Sequence, residues 1–227
     1  QRNYQRLGGL RGVNFPRTLR IVNDGSPTEV RERLEAEHLG YPVILREVGT
    51  QTGKTMGLLE TPEAVEAHLG ETRPGANLYA IEFIDCRSED GYYHKIRCFF
   101  IDQKFYPVAC LTNDVWQIHS GDRYRVMSKS QAAQEMEQSY LADPKNFLGE
   151  KAFAALHEIA RVIDLDFFGI DFARDDDRGI LVFEANAAMR HNFDHARNFP
   201  YTEPHLRRVS DAMQRMLAAR INSTLTS

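Results

Sequence analysis

Three oxygen-bearing side chains late in the chain have the types and spacing to hold a hard cation. They are Asp171, Glu184 and Asn186, within FGIDFARDDDRGILVFEANAAM. If this segment is a hairpin turning symmetrically about Asp176–Gly179, Asp171 lies directly opposite Glu184, with β-carbons about 5 Å apart on one face. Asn186 follows Glu184 by two residues and shares that face, because side chains alternate along a strand. Phe183 and Ala185 then point the other way, into packing. Facing like charges destabilise a hairpin unless a cation lies between them. Two carboxylates and an amide suit Mg2+, which prefers oxygen and leaves room for waters and substrate phosphates. Neither His nor Cys belongs to the set, so zinc is a poor match. Asp175, Asp176 and Asp177 read as the solvated turn. The alternative is a surface hairpin whose acids face each other in water.

A second stretch, REVGTQTGKTM (46–56), ends in the Gly-Lys-Thr of a phosphate-binding loop. It is not a Walker loop. Gly49 and Gly53 enclose three residues where that loop needs four, and Val48 stands where its first Gly belongs. The helix that must follow is broken by Gly57 and Pro62. A strand feeding a loop of Gly and Thr still suits phosphates. Its backbone N–H groups, the hydroxyls of Thr50, Thr52 and Thr55, and the compact cation of Lys54 all donate. Arg46, at the end of an apolar strand, wants an anionic partner. An ordinary β-turn with a solvated lysine is the other reading.

These residues need elements to carry them. Ser26-Pro27-Thr28-Glu29 has the pattern of a helix start, with Ser26 as cap and Glu29 in the capping-box position. YPVILREV (41–48) is a dense β-branched run and predicts a buried strand. Thr61-Pro62 opens a short helix to about Leu69. NLYAIEFIDC, YYHKIRCFFI and KFYPVACL predict an antiparallel meander, with Asp90-Gly91 turning the first into the second and Asp102-Gln103 the second into the third. The segment TNDVWQIHSGDRYRV that follows predicts a long loop, a feature that is functional more often than not. Helices are expected at about 129–141 and 150–163, and then the acidic hairpin. A last helix from Pro204 would place Leu206, Val209, Met213, Met216 and Leu217 on one stripe.

The bulk numbers fit such a chain. Its 227 residues, 42% hydrophobic and 26% charged, suffice for one large domain or two lobes. A net charge of −4 with scattered basic residues argues against nucleic acid or a membrane surface as partner. The 3 cysteines, Cys86, Cys98 and Cys110, suggest no disulfide framework and fit a reducing, cytoplasmic compartment.

Taken in order, the pieces are a strand ending in a basic residue, a Gly-rich loop with Gly-Lys, an IEFI strand, a basic KIR strand, and an Asp strand paired with Glu-x-Asn. This order resembles the ATP-grasp superfamily of carboxylate–amine and carboxylate–thiol ligases, with their glutathione synthetase-like ATP-binding fold. The likeness runs from about Asn14 to Met189. Its most specific part is the spacing of Asp171, Glu184 and Asn186, and YPVILR with the glycines and Lys54 comes next. The resemblance implies an α+β fold of two lobes whose antiparallel sheets clasp the nucleotide. Residues 1–19 would be a linker or the remnant of an upstream domain, 20–85 the small lobe, and 86–227 the large lobe with the metal site.

The resemblance also implies roles. Arg46 would contact the α/β-phosphates, where the family usually has a lysine. Gly49, Thr50, Gly53 and Lys54 would close over the β/γ-phosphates, and the edge Glu82-Phe83-Ile84 would hold adenine. Arg97, with Lys54, would serve the transferring phosphoryl or acyl phosphate. Asp171, Glu184 and Asn186 would hold one or two Mg2+ ions, with Mn2+ as a substitute and Glu184 as the bridge. Arg190 and Asn192 would meet the substrate. The implied activity is ATP-dependent activation of a small-molecule or peptide carboxylate as an acyl phosphate, for attack by an amine or thiol. A small-molecule kinase of the same fold and a nucleotide-binding module without turnover are the alternatives. The chain departs from the pattern in three places. Arg46 replaces a lysine. Only about 15 residues precede the motif region, where the resemblance implies a further domain, which would then be either cut away from this sequence or lost. AAMRHNFDHARNFPY stands where a Pro-Gly loop often does, implying a different acceptor pocket.

Overall fold

The computed structural model describes residues 2–24, 26–50, 55–175 and 179–225. The N-terminal half begins with helix α1 (Arg2–Leu7) and strands β1 (Val13–Asn14) and β2 (Thr18–Val22). Then come α2 (Pro27–Ala36), β3 (Val43–Glu47), β4 (Gly57–Leu59), α3 (Pro62–Glu71) and β5 (Asn77–Glu82). The rest comprises β6 (Tyr93–Ile101), β7 (Lys104–Asn113), α4 (Asp122–Arg125), α5 (Gln131–Ala142) and α6 (Pro144–Leu148). It closes with α7 (Glu150–Ile163), β8 (Phe167–Asp175), β9 (Gly179–Asn186) and α8 (Glu203–Leu225). No helix among the described residues is long and apolar enough to cross a membrane.

The chain divides into two units, one of residues 1–5 and 16–85 and the other of 6–15 and 86–227. In the smaller unit, β2-β5-β3-β4 form an antiparallel sheet. Val30 and Leu34 of α2 and Val65 and Leu69 of α3 pack with Val43, Leu45, Leu78 and Ala80 of its strands. Both helices start where their capping residues predict. Ser26 Oγ accepts from the Glu29 amide and Thr61 Oγ1 from that of Ala64, each at 3.2 Å. Each bond satisfies an amide that the first turn leaves without a helical partner.

In the larger unit the sheet order is β1-β9-β8-β6-β7, with β1 parallel to β9 and the other neighbours antiparallel. Both faces are covered, which is why Cys98-Phe99-Phe100-Ile101 is a continuous apolar run rather than an alternation. Ile96, Cys98, Phe100, Phe168, Ile170 and Phe172 face the core that α7 closes. Phe99 and Ile101 face the core closed by Leu206, Val209 and Met216 of α8. Asp102 and Gln103 turn β6 into β7 with φ of 48° and 62°, the left-handed pair that a two-residue hairpin wants.

Four expectations need correction. β5 does not pair with β6, because both of its edges are taken by β2 and β3. Asp90-Gly91 still forms a tight turn, with Tyr92 N donating to Asp90 Oδ1 at 2.9 Å, but it joins no hairpin. The segment after β7 is not all loop, since it contains α4, and α6 is an additional helix. Phe183 is 42% exposed rather than packed. Leu217 is 52% exposed and Ile221 60%; Met216 takes the buried place at this level of α8, and Leu217, the next residue round the helix, falls off the stripe.

Candidate active site

Alternation along β6 decides where the polar site can lie. Lys95 and Arg97 fall on the same face as Phe99 and Ile101, between the buried Tyr93 and Phe99. Arg97, Asp171 and Glu184 are then registered directly across β6, β8 and β9. The hairpin register read from the sequence therefore holds at the acids. Asp171 is 4% exposed. Arg97 grips it with both arms, Nε to Oδ1 at 2.6 Å and Nη2 to Oδ2 at 2.7 Å. Lys95 Nζ lies 3.7 Å from Oδ2. The charge that relieves the facing acids is thus supplied in the structure by arginine and lysine. Asn186 Nδ2 donates to Glu184 Oε1 at 2.9 Å, while its Oδ1 accepts from Ala188 N at 2.8 Å.

Two bulges aim this row. Glu184 faces Asp171, but Val182 faces Phe172, which leaves Phe183 as an extra residue in β9. An extra residue breaks the alternation and bends the strand, so Phe183 cannot stay in the packed face. On the other side, Arg97 pairs with Ala109 and Cys98 with Pro107, leaving Val108 extra in β7. β7 is an edge strand, the position where a proline costs no ladder bond. The facing of Asp171 and Glu184 agrees with the expected hairpin, but its turn end does not: Asp175 faces Gly179, one residue off the symmetric pairing, and the acids meet because Phe183 is extra. Nothing in FEAN marks that bulge.

Electrostatics follow from burial. Burial pulls the Lys95 ammonium below the ordinary lysine value, and the Asp171 charge opposes that pull. Burial also acts against the Arg97 guanidinium, but the hydrogen bonds and charge of Asp171 prevail and raise it. Beside them, burial pushes the Cys98 thiol well above its usual range. Lys95 is the member of the site that sequence reasoning missed. Its signal was its place two residues before Arg97 in a strand, which puts both cations on one face.

In the smaller unit, Arg46 sits on β3 opposite Tyr79. Its Nη2 donates to the Thr50 carbonyl at 2.6 Å, and its buried Nε has no partner among the described residues. Gly49 turns the chain at φ 85°. Thr50 Oγ1 and Thr55 Oγ1 meet at 2.9 Å and close the neck of the loop on Glu47. Gly53 and Lys54, with Thr52, lie outside the described residues. Glu82 ends β5 and accepts the Arg17 amide at 3.1 Å, and Phe83 and Ile84 follow outside the ladder.

The structure does not gather Arg190 and Asn192 to the acid row by any hydrogen bond among the described residues. Arg190 pairs with Asp194 at 3.0 Å, and Asn192 Oδ1 accepts the Asp194 amide at 3.3 Å. His191 and His195, four apart, go to different partners, Ser210 Oγ at 3.1 Å and Tyr124 Oη at 3.0 Å. Among the described residues no three His, Cys, Asp or Glu side chains converge as a metal cluster.

No family model and no curated protein matches this sequence. Solved structures do match, and they define the class: the chain has the ATP-grasp fold. The D-alanine–D-alanine ligase of Bacillus anthracis is similar with a TM-score of 0.53 at 11% identity, over 92% of this chain and 64% of the ligase. Macrocyclase MdnC of Microcystis aeruginosa MRC, bound with precursor peptide MdnA, matches with a TM-score of 0.49 at 15% identity, over 92% and 56%. N5-carboxyaminoimidazole synthase of Aspergillus clavatus, in complex with ADP and an aminoimidazole ribonucleotide, matches with 0.49 at 13% identity, over 90% and 48%. This chain therefore spans about half to two thirds of the length of the structures that it matches.

Proposed function

We propose that this chain is the ATP-binding part of an ATP-dependent ligase that activates a carboxylate as an acyl phosphate for attack by an amine or thiol. The observation that carries the reading is the row Arg97–Asp171–Glu184 across three strands, with Asn186 beside it, on an ATP-grasp fold. In such a reaction a carboxylate oxygen attacks the γ-phosphorus in line and the bond to ADP breaks. The amine or thiol then attacks the acyl carbon and phosphate leaves. Neither step needs a protein nucleophile. They need positioning and neutralisation of charge on the transferring group.

The donor set suits Mg2+. It is all oxygen, Glu184 is exposed, the Asn186 amide lies beside it, and Asp171 keeps lone pairs beyond those that Arg97 occupies. Bound there, Mg2+ would neutralise charge on the terminal phosphates. Arg97 would donate to the phosphoryl or acyl phosphate oxygens with its remaining N–H groups. Arg46, whose buried Nε has no partner among the described residues, is the candidate for the α/β-phosphates, with Gly49, Thr50, Gly53 and Lys54 as the covering loop. Adenine would lie along Glu82-Phe83-Ile84. The acceptor carboxylate, on a small molecule or a peptide, would meet Arg190 and Asn192.

The test is ADP release with candidate carboxylates, in the wild type and in Glu184→Gln. Glu184→Gln should keep the fold, because it removes one charge from an exposed position, and should abolish Mg2+-dependent turnover. Full activity in that variant would remove Glu184 from the metal site and with it the proposed arrangement.

A further inference from the structure

The segment after β7 is held together by side chains that bond its own backbone. Asn113, fully buried at the end of β7, donates to the Gln117 carbonyl at 3.2 Å and to Asp122 Oδ2 at 3.0 Å. The same Asp122 oxygen accepts from His119 N at 2.7 Å, and Arg125 bonds both Asn113 and Asp114. At the far end Arg123 clamps the segment to α5 through the buried Glu137, Nη1 to Oε2 at 2.7 Å. Between these anchors, 114–121 has neither helix nor strand.

Lys95 ties this segment to the acid row. Its Nζ donates to the Ile118 carbonyl at 2.6 Å and lies 3.7 Å from Asp171 Oδ2, and its side chain is only 18% exposed. An ammonium has three donors and a long stem, so one group can serve a carbonyl and a carboxylate at once. We infer that Lys95 is a positioning residue that holds 114–121 against the acid row and so makes this segment a wall of the site. Ile118 is anchored below by its own buried side chain, and Trp116 packs against the core that α8 closes. Lys95 fixes the backbone at the Ile118 carbonyl. Where substrate is concerned, the inference rests on the ligase reading. The position of the segment does not.

Hydrogen exchange on the full chain, read by mass spectrometry over 114–121, separates the two. Lys95→Met should lose protection there tenfold or more, while α7 and the β8–β9 hairpin exchange as in the wild type. Lys95→Arg, which keeps charge and reach, should restore most of it. Wild-type protection of 114–121 in Lys95→Met overturns the inference. If Lys95→Met does not fold, the shorter and still polar Lys95→Gln is read in the same way, and undiminished protection in it is equally fatal. Given an active wild type, Lys95→Met should raise KM for the carboxylate several-fold more than it lowers kcat, and an equal fall in kcat with KM unmoved would assign Lys95 to the chemistry instead. A wild type without ATP-dependent turnover, but with the exchange pattern as described, would remove the ligase reading and leave Lys95 as the latch.

Discussion

Arg97 is the side chain on which the acid row depends. Asp171 is almost fully buried, and both of its oxygens receive Arg97. Removing one partner of a buried ion pair leaves an uncompensated charge, at a cost of roughly 3–5 kcal/mol. Lys95 stays at 3.7 Å, so Arg97→Met should fall at the low end, about 3 kcal/mol, read from the urea midpoint. Adding Asp171→Leu should recover part of that loss. An unchanged midpoint in Arg97→Met would mean that Lys95 alone satisfies the carboxylate. At this scale the sequence was informative about types and poor about partners. Asp171, Glu184 and Asn186 were recognisable from spacing, but the closure of Asp171 by Arg97 needed the pairing of β6 with β8. Those strands are 74 residues apart at this contact, and no local pattern encodes the choice.

At the scale of elements, a glycine in β8 lets the hairpin pack. A β-carbon on Gly169 would lie 2.4 Å from Met189 Sδ and 2.8 Å from the ring of Phe99. Gly169 is also the partner of Asn186 across the ladder. Gly169→Ala should therefore cost about 1–3 kcal/mol by overpacking, seen as a lower melting temperature. Met189→Ala in the same protein should return part of the loss. Packing of α7 makes a second, pH-dependent prediction. His157 lies among the rings of Phe100, Phe105 and Phe153, and burial pulls its pKa below 6.5. A group with a depressed folded pKa contributes stability above its unfolded value and loses it as pH falls through the folded one. Urea midpoints should thus fall less steeply below pH 6.5 in His157→Phe than in the wild type. Equal slopes would show that the ring stays as basic in the fold as in the unfolded chain. The helices α2 and α3 were legible because their caps are local. β5 was misassigned to a meander because its partners, β2 and β3, are set by the small core and not by the turn at Asp90-Gly91.

For the whole molecule the prediction is thermodynamic linkage. A ligand that binds the folded state alone stabilises it, by about 2.7 kcal/mol at a hundred times Kd. ATP with Mg2+ should therefore raise the unfolding midpoint of this chain. The increase should vanish in Asp171→Asn/Glu184→Gln, whereas ATP without metal should give less. Calorimetric titration of the same proteins supplies the Kd. A shift that survives the double substitution would move the nucleotide away from the acid row.

The sequence by itself determined what depends on neighbours a few residues apart. Caps, the Asp102-Gln103 turn and strand alternation are set by steric and hydrogen-bonding rules within one or two elements. The tertiary structure alone decided which strands share a sheet, where the bulge at Phe183 falls, and which cations reach Asp171. Those outcomes follow from burying two faces of one sheet at once, a condition that no segment of the chain meets alone.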